Sequence, residues 1–372
     1  MSSLRSFETS STRAWYARLN LDPVLLAGLL SLMVFGLVVL YSASGQNELV
    51  MQRQLLRYGI GLAVMLAIAS LGAHRLYWWS PILYLVGVLL LLVVELAGDI
   101  GKGAQRWLDL GVVRFQPSEL MKLAMPMMLA FFFSERRLPP TWQEITLALL
   151  LLVIPVGLIF LQPDLGTAVL VAGSGLIVVF FAGVRWRSMF AAAALTAAAV
   201  PVLWHFLHDY QRQRVLTFFA PESDPLGAGY HIIQSKIAIG SGGVFGKGWL
   251  NGSQAQLQFL PERTTDFIFS VIGEEFGLLG ALVLFALYLV VVLRGMQIAF
   301  NAQDTYGRLL AASISATFFI YVFVNVGMVS GLLPVVGVPL PLISYGGTSM
   351  VTLLAGFGML MSIQNERRLI SK

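Results

Sequence analysis

Residues 309–365 read LLAASISATFFIYVFVNVGMVSGLLPVVGVPLPLISYGGTSMVTLLAGFGMLMSIQN and contain no Asp, Glu, Lys or Arg over 57 positions. A membrane-spanning helix needs only about 20 apolar residues, so this stretch is too long for a single span. Helix-breaking residues interrupt it near its middle: Pro334, Pro339, Pro341, Gly346 and Gly347. We therefore predict two membrane helices joined by an irregular segment.

The composition of the whole chain points to the same environment. Of its 372 residues, 57% are hydrophobic and 12% are charged, whereas an ordinary soluble domain has about 25% charged residues. A chain of this size cannot bury that much apolar surface in water, which excludes a soluble enzyme. The absence of cysteine excludes disulfides, thiolate zinc sites and cysteine nucleophiles. The net charge of +5 fits charged loops beside a membrane, and we expect no nucleic-acid partner.

Other charge-free stretches of suitable length occur along the chain. They comprise residues 23–47, 58–73, 76–94, 145–163, 165–184, 188–208 and 276–293. One further span, residues 117–133, carries Glu119 and Lys122 near its start. Together with the two helices of residues 309–365, they predict an all-α integral membrane protein of about ten transmembrane helices. A large outer loop is expected between helices 7 and 8.

The arginines and lysines of the short loops predict the orientation. With ten spans both termini share one side, which carries 13 of these residues against 5 in the short loops opposite. Positive charge accumulates in cytoplasmic loops, so both termini are expected in the cytoplasm. The chain then divides into a cytoplasmic tail (1–22), seven spans (23–208), an outer loop (209–265), three spans (266–364) and a second tail (365–372). Since the first tail lacks a cleavage-site pattern, the first helix is expected to be an uncleaved anchor.

Two outer segments, residues 97–116 and 209–265, are too long to be simple turns. The second contains eight glycines between positions 227 and 252, and long glycine-rich loops are more often functional than decorative. Residues 230–239 have helical apolar spacing, which predicts a short helix at the outer interface with Gly240 as its C-cap. We hypothesise that residues 230–249 gate the site.

Ionisable residues at the ends of apolar spans are costly to bury and are therefore candidate functional residues. Glu119 and Lys122 follow a helix start at Pro117 and share one helix face. They form either a structural ion pair or the polar floor of a cavity for a charged head group. Asp164 precedes another span, and it acts either as a helix cap or as a cavity wall or cation ligand.

Asp266 has the strongest local case for catalysis. Either Thr264 or Thr265 can cap the following helix, so the segment does not need an acid for that purpose. The carboxylate is expected at a membrane mouth beside Phe267 and Phe269, where desolvation raises a carboxyl pKa. A raised pKa is what a general base near neutral pH requires.

Glu274 and Glu275 lie about 12–13 Å further along the same predicted helix. Two adjacent acids this deep must face a polar interior or be protonated. They hold a cation, pair with Lys122, or belong to a purely structural network.

Seven motifs follow one another along the chain and resemble those of one family. They are GAQRWL at 103–108, RFQPSE at 114–119, QPDLGT at 162–167, DPLGAGYH at 224–231, GKGW at 246–249, LPE with TDFIF within 260–269, and PLPLISYGG at 339–347. With them the chain resembles the SEDS family (shape, elongation, division and sporulation) over essentially its whole length. The motifs are long and keep their order, which makes chance a poor explanation.

That resemblance implies a peptidoglycan glycosyltransferase of the bacterial inner membrane whose active site faces the periplasm. Such an enzyme polymerises lipid II, the undecaprenyl-diphosphate-linked disaccharide pentapeptide, into glycan strands during cell elongation and rod-shape maintenance. The family's essential aspartate falls on Asp266, and its glutamate and lysine of the fourth span fall on Glu119 and Lys122. Other polar cavity positions of the family match Arg114, Gln116 and Asp164.

The implied reaction converts an α-linked donor into a β-1,4-linked polymer, so it inverts the anomeric carbon in a single displacement. Such a step needs a base for the acceptor's 4-hydroxyl, for which Asp266 is the candidate. It also needs positive charge for the departing diphosphate. A divalent cation (Mg or Mn) near Asp164 or Glu119 is one candidate source. The other candidates are side chains: Arg53, Arg106, Arg114, Lys122, Arg212, Arg214, Lys236 and Arg263.

The resemblance also implies partners. The family works with a class B penicillin-binding protein, an elongation-specific transpeptidase that crosslinks the new strands, and with other membrane proteins of the elongation complex. Thr264 departs from the family pattern because many relatives carry histidine there. A mechanism that needs a histidine at this position is therefore not expected in this chain.

Two other functions fit parts of the sequence. A transporter or flippase of the same lipid fits ten spans, intramembrane charges and helices interrupted by proline and glycine. Against it, the chain lacks two matching halves, and its candidate polar residues cluster at the predicted outer mouth. A scaffold that only recruits the transpeptidase leaves Asp266 and the pair Glu119–Lys122 unexplained.

Overall fold

The computed structural model describes residues 21–97, 99–101, 104–109, 114–184, 228–257, 259–260 and 262–370, with isolated positions between 194 and 220. The helices of these ranges are α1 (Pro23–Ala43), α2 (Glu48–Ala69), α3 (Ala73–Ala97), α4 (Pro117–Ser134), α5 (Trp142–Leu161), α6 (Leu165–Phe181), α7 (Ala228–Gly242), α8 (Ser253–Gln256), α9 (Ile268–Asn301), α10 (Thr305–Val329) and α11 (Thr348–Ile370). The strands are β1 (Asp99–Gly101), β2 (Ala104–Asp109) and β3 (Arg114–Phe115).

The helical architecture agrees with the predicted spans. Within the described ranges, nine of the ten predicted spans coincide with a helix, and the tenth, residues 188–208, lies almost entirely outside them. Five of these described helices are long and apolar enough to cross a membrane by length and composition alone. Others are shorter or carry charged side chains, as α2 does with Arg57 and α4 does with Lys122. The chain is a multi-pass membrane protein, as predicted.

Capping residues define where several helices begin. Asp22 caps α1 by accepting a hydrogen bond from the amide of Leu25 at 2.9 Å, and its carboxylate also pairs with Arg294 of α9 at 2.6 Å. A buried carboxylate needs hydrogen-bond donors or an ion-pair partner of this kind. Ser42 lies at the opposite end of α1. We refer to the two ends of the helix bundle as the Asp22 end and the Ser42 end.

The strands β1, β2 and β3 form a small antiparallel sheet, which the all-α expectation did not include. The strand order is β1-β2-β3, and Ile100 pairs with Gln105 while Leu108 pairs with Phe115. The strands are short, and their segment contains none of the alternating apolar pattern that predicts a half-buried strand over four or more residues. The sheet leads directly into α4 at Pro117.

Helix α9 is broken and turns back on itself at Gly277. Gly277 has φ 64° and ψ −157°, which no residue adopts inside a helix. The rings of Phe269 and Phe285 stack with their centroids 5.8 Å apart, although sixteen residues of straight helix would separate them by about 24 Å. The half-helix 268–276 therefore lies against the half that follows it. The predicted uninterrupted eighth span is wrong in this respect.

The Gly-rich loop (residues 243–252) forms backbone hydrogen bonds on both sides of this break. The amides of Lys247 and Gly248 donate to the carbonyls of Glu274 and Glu275 at 2.9 and 3.0 Å. On the other side of the break, Leu278 and Leu279 donate to Gly243 and Val244 at 3.0 and 3.1 Å. Backbone groups at a helix end must find such partners when they are buried. The loop therefore supplies the hydrogen bonds that the broken helix lacks.

The predicted short helix is confirmed as α7, but its end was predicted wrongly. Gly240 does not cap it, because the helix continues to Gly242. Gly243 follows with φ 56°, the left-handed conformation that commonly ends helices. The helix packs against α9 rather than standing apart from the bundle, and its Ile232, Ser235 and Ala238 are buried.

We expect the amides that hydrogen-bond the Gly-rich loop to the broken helix α9 to be strongly protected from hydrogen exchange. The amides in question are Lys247, Gly248, Leu278 and Leu279, all of which donate to backbone carbonyls across the break. Opening the loop would expose both halves of the helix without partners, which makes opening costly. Exchange measured by mass spectrometry in nanodiscs, with and without substrate, tests this. The gating hypothesis for residues 230–249 requires the opposite result, rapid exchange that substrate slows.

The loop between α10 and α11 (residues 330–347) enters the bundle. A Cβ placed on Gly36 of α1 would lie 2.9 Å from the carbonyl oxygen of Leu342, and Gly36 is six residues, about 9 Å, from Ser42 along the helix. Tyr58 of α2 and Tyr288 of α9 donate to the carbonyls of Leu342 and Pro341 at 2.7 and 2.6 Å. Irregular backbone at membrane depth is tolerated where protein groups satisfy it in this way.

Candidate functional site

Asp266 lies in a short non-helical segment, residues 262–267, which we call the Asp266 segment. Three consecutive main-chain carbonyls of this segment accept hydrogen bonds from residues far along the chain. The bonds, donor first, are Tyr345 N to Thr264 at 2.8 Å, Ser344 Oγ to Thr265 at 2.6 Å, and Asn325 Nδ2 to Asp266 at 2.9 Å. Tertiary contacts with the 330–347 loop and with α10 therefore hold the main chain on both sides of the aspartate.

The 330–347 loop is itself held by α2. Gln54 donates to the carbonyl of Ser344 at 3.3 Å, and the guanidinium of Arg57 stands over the ring of Tyr345 at 4.2 Å. A cation–π contact of this kind orients a guanidinium as well as the ring beneath it. Helix α2 thus supports the loop, and the loop supports the Asp266 segment.

The start of α9 differs from the prediction. The helix begins at Ile268, and Phe267 precedes it without any side-chain capping bond, so neither Thr264 nor Thr265 is the cap. Phe267 is 2% exposed and stacks on the ring of His231 of α7 at 5.6 Å. The buried aromatic ring anchors the segment and leaves the preceding aspartate half-buried.

A pocket of about 500 Å³ opens beside the Asp266 segment, and we call it the vestibule. Its walls come from the Ser42 end of α1, from α2 and from the segment itself, and they include Ser44, Val50, Glu262, Arg263 and Thr264. Its volume falls within the range of about 300–1,000 Å³ that small-molecule sites occupy. Thr264 is two residues from Asp266, whose carboxylate lies beside the 330–347 loop, with Oδ2 3.5 Å from a Cβ built on Gly337. Burial lowers the pKa of the Arg263 guanidinium from its ordinary value, yet a guanidinium keeps its charge in proteins.

Glu119 and Lys122 form the predicted pair. Their charged groups are 2.7 Å apart, and both side chains are less than one-tenth exposed. Lys122 also stands over the ring of Tyr321 at 5.5 Å, and Tyr321 precedes Asn325 by one turn, about 6 Å, on the same face of α10. The pair therefore lies about one helical turn from the contact that holds Asp266.

The cavity beside this pair is small. It has a volume of about 30 Å³ between α4, α10 and α11, which is room for two or three water molecules at about 10–15 Å³ each. One carboxylate oxygen of Glu119 and the hydroxyl of Thr317 are buried there without a hydrogen-bond partner. Of these two cavities near Asp266, only the vestibule admits a sugar-sized group in this conformation.

We expect Lys122→Met to destabilise the protein more than the double variant Glu119→Gln/Lys122→Met. Removing one member of a buried pair leaves an uncompensated charge, which costs about 3–5 kcal/mol, whereas neutralising both members avoids that cost. Thermal unfolding in detergent measures the difference. Equal melting temperatures for the single and double variants would show that the two charges do not depend on each other.

Gln116 and Asp164 are brought together as neighbours of this pair. Gln116 Nε2 donates to Asp164 Oδ2 at 2.9 Å, and the hydroxyl of Thr167 donates to the same oxygen at 2.9 Å. Asp164 also accepts from the amide of Thr167 at 3.2 Å, so the cap that the sequence left as one alternative is present. Among the described residues, no group of three or more His, Asp or Glu side chains converges to hold a metal ion. A cation at Asp164 therefore stays a prediction.

Glu274 and Glu275 occupy a place that the sequence analysis predicted wrongly. Glu274 pairs with Lys247 at 2.8 Å, and Glu275 accepts from the hydroxyl of Ser42 at 2.5 Å. Neither acid pairs with Lys122. Because half-helix 268–276 runs back toward the Ser42 end, the two acids lie there while Asp266 lies inside the bundle. The error came from treating α9 as one straight helix.

The remaining predicted site residues are not brought to Asp266 by a contact in the described ranges. Arg114 is in strand β3, opposite Asp109, and its side chain lies outside the description. Arg214 lies outside the described residues altogether. Arg212 donates to the carbonyls of Trp204 and His205 in its own segment at 3.0 and 2.8 Å. Exposed Lys236 of α7 packs beside Gly331 after α10.

The residues that hold Asp266 were not assigned a role from the sequence. A signal existed for Asn325, because it is an amide in an otherwise apolar span and is fully buried. Ser344 and Tyr345 lie in the PLPLISYGG motif, but nothing local to that motif indicates that they contact a segment some 80 residues earlier. Arg57 is separated from Asp266 by most of the chain. These contacts are long-range, and no pattern of spacing reports them.

Comparison with known proteins places this architecture in a family. Residues 23–369 match the family model FTSW_RODA_SPOVE, described as cell cycle protein. The peptidoglycan glycosyltransferase MrdB of Escherichia coli (strain K12) is 52% identical over 366 residues, which cover 98% of this chain and 99% of that protein. The peptidoglycan glycosyltransferase RodA of Treponema pallidum (strain Nichols) is 32% identical and covers 94% and 98%.

Solved structures show the same fold. One chain of a peptidoglycan synthase complex, whose description concerns the coordination of polymerization and crosslinking, has a TM-score of 0.81 and 36% identity. The alignment covers 93% of this chain and 98% of that one. The rod shape determining protein RodA of Thermus thermophilus has a TM-score of 0.71 and 31% identity over 93% and 97% of the two chains. The chain therefore belongs to the FTSW_RODA_SPOVE family of cell cycle proteins, which confirms the resemblance read from its motifs.

Proposed function

We propose that this chain is a peptidoglycan glycosyltransferase that polymerises lipid II into β-1,4 glycan strands. The acceptor's 4-hydroxyl attacks the anomeric carbon of the donor, and a new C–O bond forms as the bond to the diphosphate breaks. The hydroxyl proton passes to the carboxylate of Asp266, and the diphosphate leaves with the bonding electron pair. This single displacement inverts the anomeric carbon and needs no covalent intermediate.

One observation carries the proposal. Asp266 belongs to the segment that lines the vestibule through Glu262, Arg263 and Thr264, and three carbonyls of this segment are hydrogen-bonded to Tyr345, Ser344 and Asn325. A general base must be held in place, since misplacement by about 1 Å can cost about 10²-fold in rate. A carboxylate on a rigid segment beside a sugar-sized pocket meets that requirement. The relatives named peptidoglycan glycosyltransferase supply the chemistry to which it applies.

Two candidate cations can supply positive charge for the leaving diphosphate. Arg263 lines the vestibule three residues before the aspartate. Lys122 lines the cavity of about 30 Å³ and pairs with Glu119 at 2.7 Å. The cavity beside Lys122 is too small for a diphosphate, whereas the vestibule lined by Arg263 has a volume of about 500 Å³. We therefore assign the diphosphate to Arg263 in the vestibule and assign Lys122 a supporting role.

A divalent cation near Asp164 or Glu119 remains a proposal. Asp164 is hydrogen-bonded to Gln116 and Thr167. A polymerisation assay with a chelator, in which Mg²⁺ or Mn²⁺ is then added back, tests the requirement. Loss of activity with chelator and its return with the ion would establish the requirement.

The surroundings of the enzyme are likewise proposed from its relatives and its charge distribution. We place it in the bacterial inner membrane with both termini in the cytoplasm and the vestibule facing the periplasm, which is consistent with the vestibule's position at the Ser42 end. An elongation-specific class B penicillin-binding protein is the proposed transpeptidase partner, together with other membrane proteins of the elongation complex. The similar synthase complex, in which polymerization and crosslinking are coordinated, supports this assignment.

The test is strand formation from purified lipid II in detergent, with moenomycin present to silence contaminating polymerases of the other class. The full chain is co-purified with its transpeptidase, and long strands are the expected product. The broken helix α9 also suits a transporter, because such proteins use discontinuous helices. Reconstituted vesicles decide between the two: bulk movement of labelled lipid across the bilayer without strand growth would favour the flippase.

A further inference from the structure

Asn325 is a buried amide with an unusual distribution of hydrogen bonds. Its Nδ2 group donates to the carbonyl of Asp266 at 2.9 Å and to the carbonyl of Val338 at 2.7 Å. The residue is fully buried, and its Oδ1 atom has no hydrogen-bond partner. The orientation of the amide is unambiguous, because a flipped amide would place Oδ1 against two carbonyl oxygens.

The two carbonyls belong to the two irregular segments that meet at the site. Val338 is in the 330–347 loop, and Asp266 is in the segment that carries the base. Asp266's carbonyl is not used by α9, since the amide of Ser270 donates to Phe267 instead, at 3.0 Å. Asn325 therefore connects α10, a regular helix, to both irregular segments at the residue where position matters most.

We infer that Asn325 is a positioning residue for the Asp266 base, an inference that rests on the proposed glycosyltransferase activity. It does not touch the reacting atoms. It fixes the main chain of Asp266 relative to α10 and to the 330–347 loop, so that the carboxylate keeps one position beside Gly337 of that loop. Burying an amide whose oxygen has no hydrogen-bond partner costs folding free energy. The need to hold the base in place explains why an asparagine occupies this core position.

The test compares Asn325→Leu with Tyr288→Phe in the full chain co-purified with its transpeptidase. Leucine has a similar size and removes both donors. Tyr288→Phe is the matched control, because it removes one buried donor to the same loop, at the carbonyl of Pro341, without contact to the Asp266 segment. The kcat per folded molecule and the KM for lipid II are measured for each, alongside the melting temperature.

We expect Asn325→Leu to lower kcat by about 10²-fold, as misplacement of a reacting group does, with KM changed by less than about threefold. Tyr288→Phe is expected to keep kcat within about threefold even where it lowers the melting temperature. Should Asn325→Leu fail to fold, Asn325→Ser takes its place, since it introduces no clash and its shorter hydroxyl cannot reach both carbonyls.

A kcat per folded molecule that stays near wild type in the Asn325 variants would overturn the positioning role, as would an equal loss in Tyr288→Phe. Failure of the proposed function looks different, because the wild-type protein itself would then form no strands. In that case the role assigned to Asn325 falls together with the activity.

Discussion

Asp266→Asn will abolish strand formation from lipid II while leaving a folded protein. Asparagine has almost the same shape as aspartate but cannot accept the proton of the acceptor's 4-hydroxyl at neutral pH. A positioned general base contributes about 10²–10⁴-fold to a rate, so we expect turnover to fall at least that far. Moenomycin-resistant strands separated on a gel, with wild type in parallel, measure the loss.

The fold is expected to survive this substitution because the contact with Asn325 uses the main-chain carbonyl of Asp266 and not its side chain. A matched control is Asp304→Asn at the start of α10. Asp304 caps that helix by accepting from the amide of Gly307 at 3.0 Å, and asparagine caps helices as well as aspartate does. This control should retain wild-type turnover. Near wild-type polymerisation by Asp266→Asn would remove the residue from the role of base.

Gly242→Ala will prevent the Gly-rich loop from forming its backbone hydrogen bonds with the broken helix α9. A Cβ on Gly242 would lie 1.9 Å from the carbonyl oxygen of Gly273 and 3.0 Å from that of Glu274. The obstacle is backbone and not a flexible side chain, so α7 and half-helix 268–276 would have to separate. Overpacking of this kind costs about 1–3 kcal/mol and sometimes more. We expect the melting temperature to fall by about 5–10 °C, or the variant to be lost during purification.

Gly240→Ala provides the control because it lies two residues earlier in the same helix. A Cβ there would have nothing within 4 Å, and alanine is the better helix former by about 1 kcal/mol. This variant should be as stable as wild type or slightly more so. If Gly242→Ala has the same melting temperature as Gly240→Ala, the close approach of α7 to α9 is not a feature of the native protein.

The parts of the site that the sequence predicted are local. The pairing of Glu119 with Lys122 follows from a spacing of three on one helix, and the 2.7 Å bond confirms it. The cap at Asp164 follows in the same way from an acid just before an apolar run. Both predictions needed only residues within one helical turn of each other.

The predictions that failed assumed that a hydrophobic run is one straight helix. Glu274 and Glu275 were expected deeper than Asp266, and they lie at the Ser42 end instead. Glu274 and Glu275 interrupt the apolar run just before Gly277, but neither they nor a glycine, which is common in membrane helices, predicts a reversal of the chain. Only its backbone conformation, with φ 64°, marks the reversal.

The sequence by itself determined that this chain crosses a membrane many times and where most of its helices lie. In lipid, long charge-free segments must satisfy their own backbone groups, and a helix does so with local hydrogen bonds that local composition can report. The tertiary structure alone decided where the half-helix reverses, which loop completes it, and that Asn325, Ser344 and Tyr345 hold the Asp266 segment. Those carbonyls are satisfied by donors 59 or more residues away. Such pairings depend on how the helices pack, which no local pattern of residues contains.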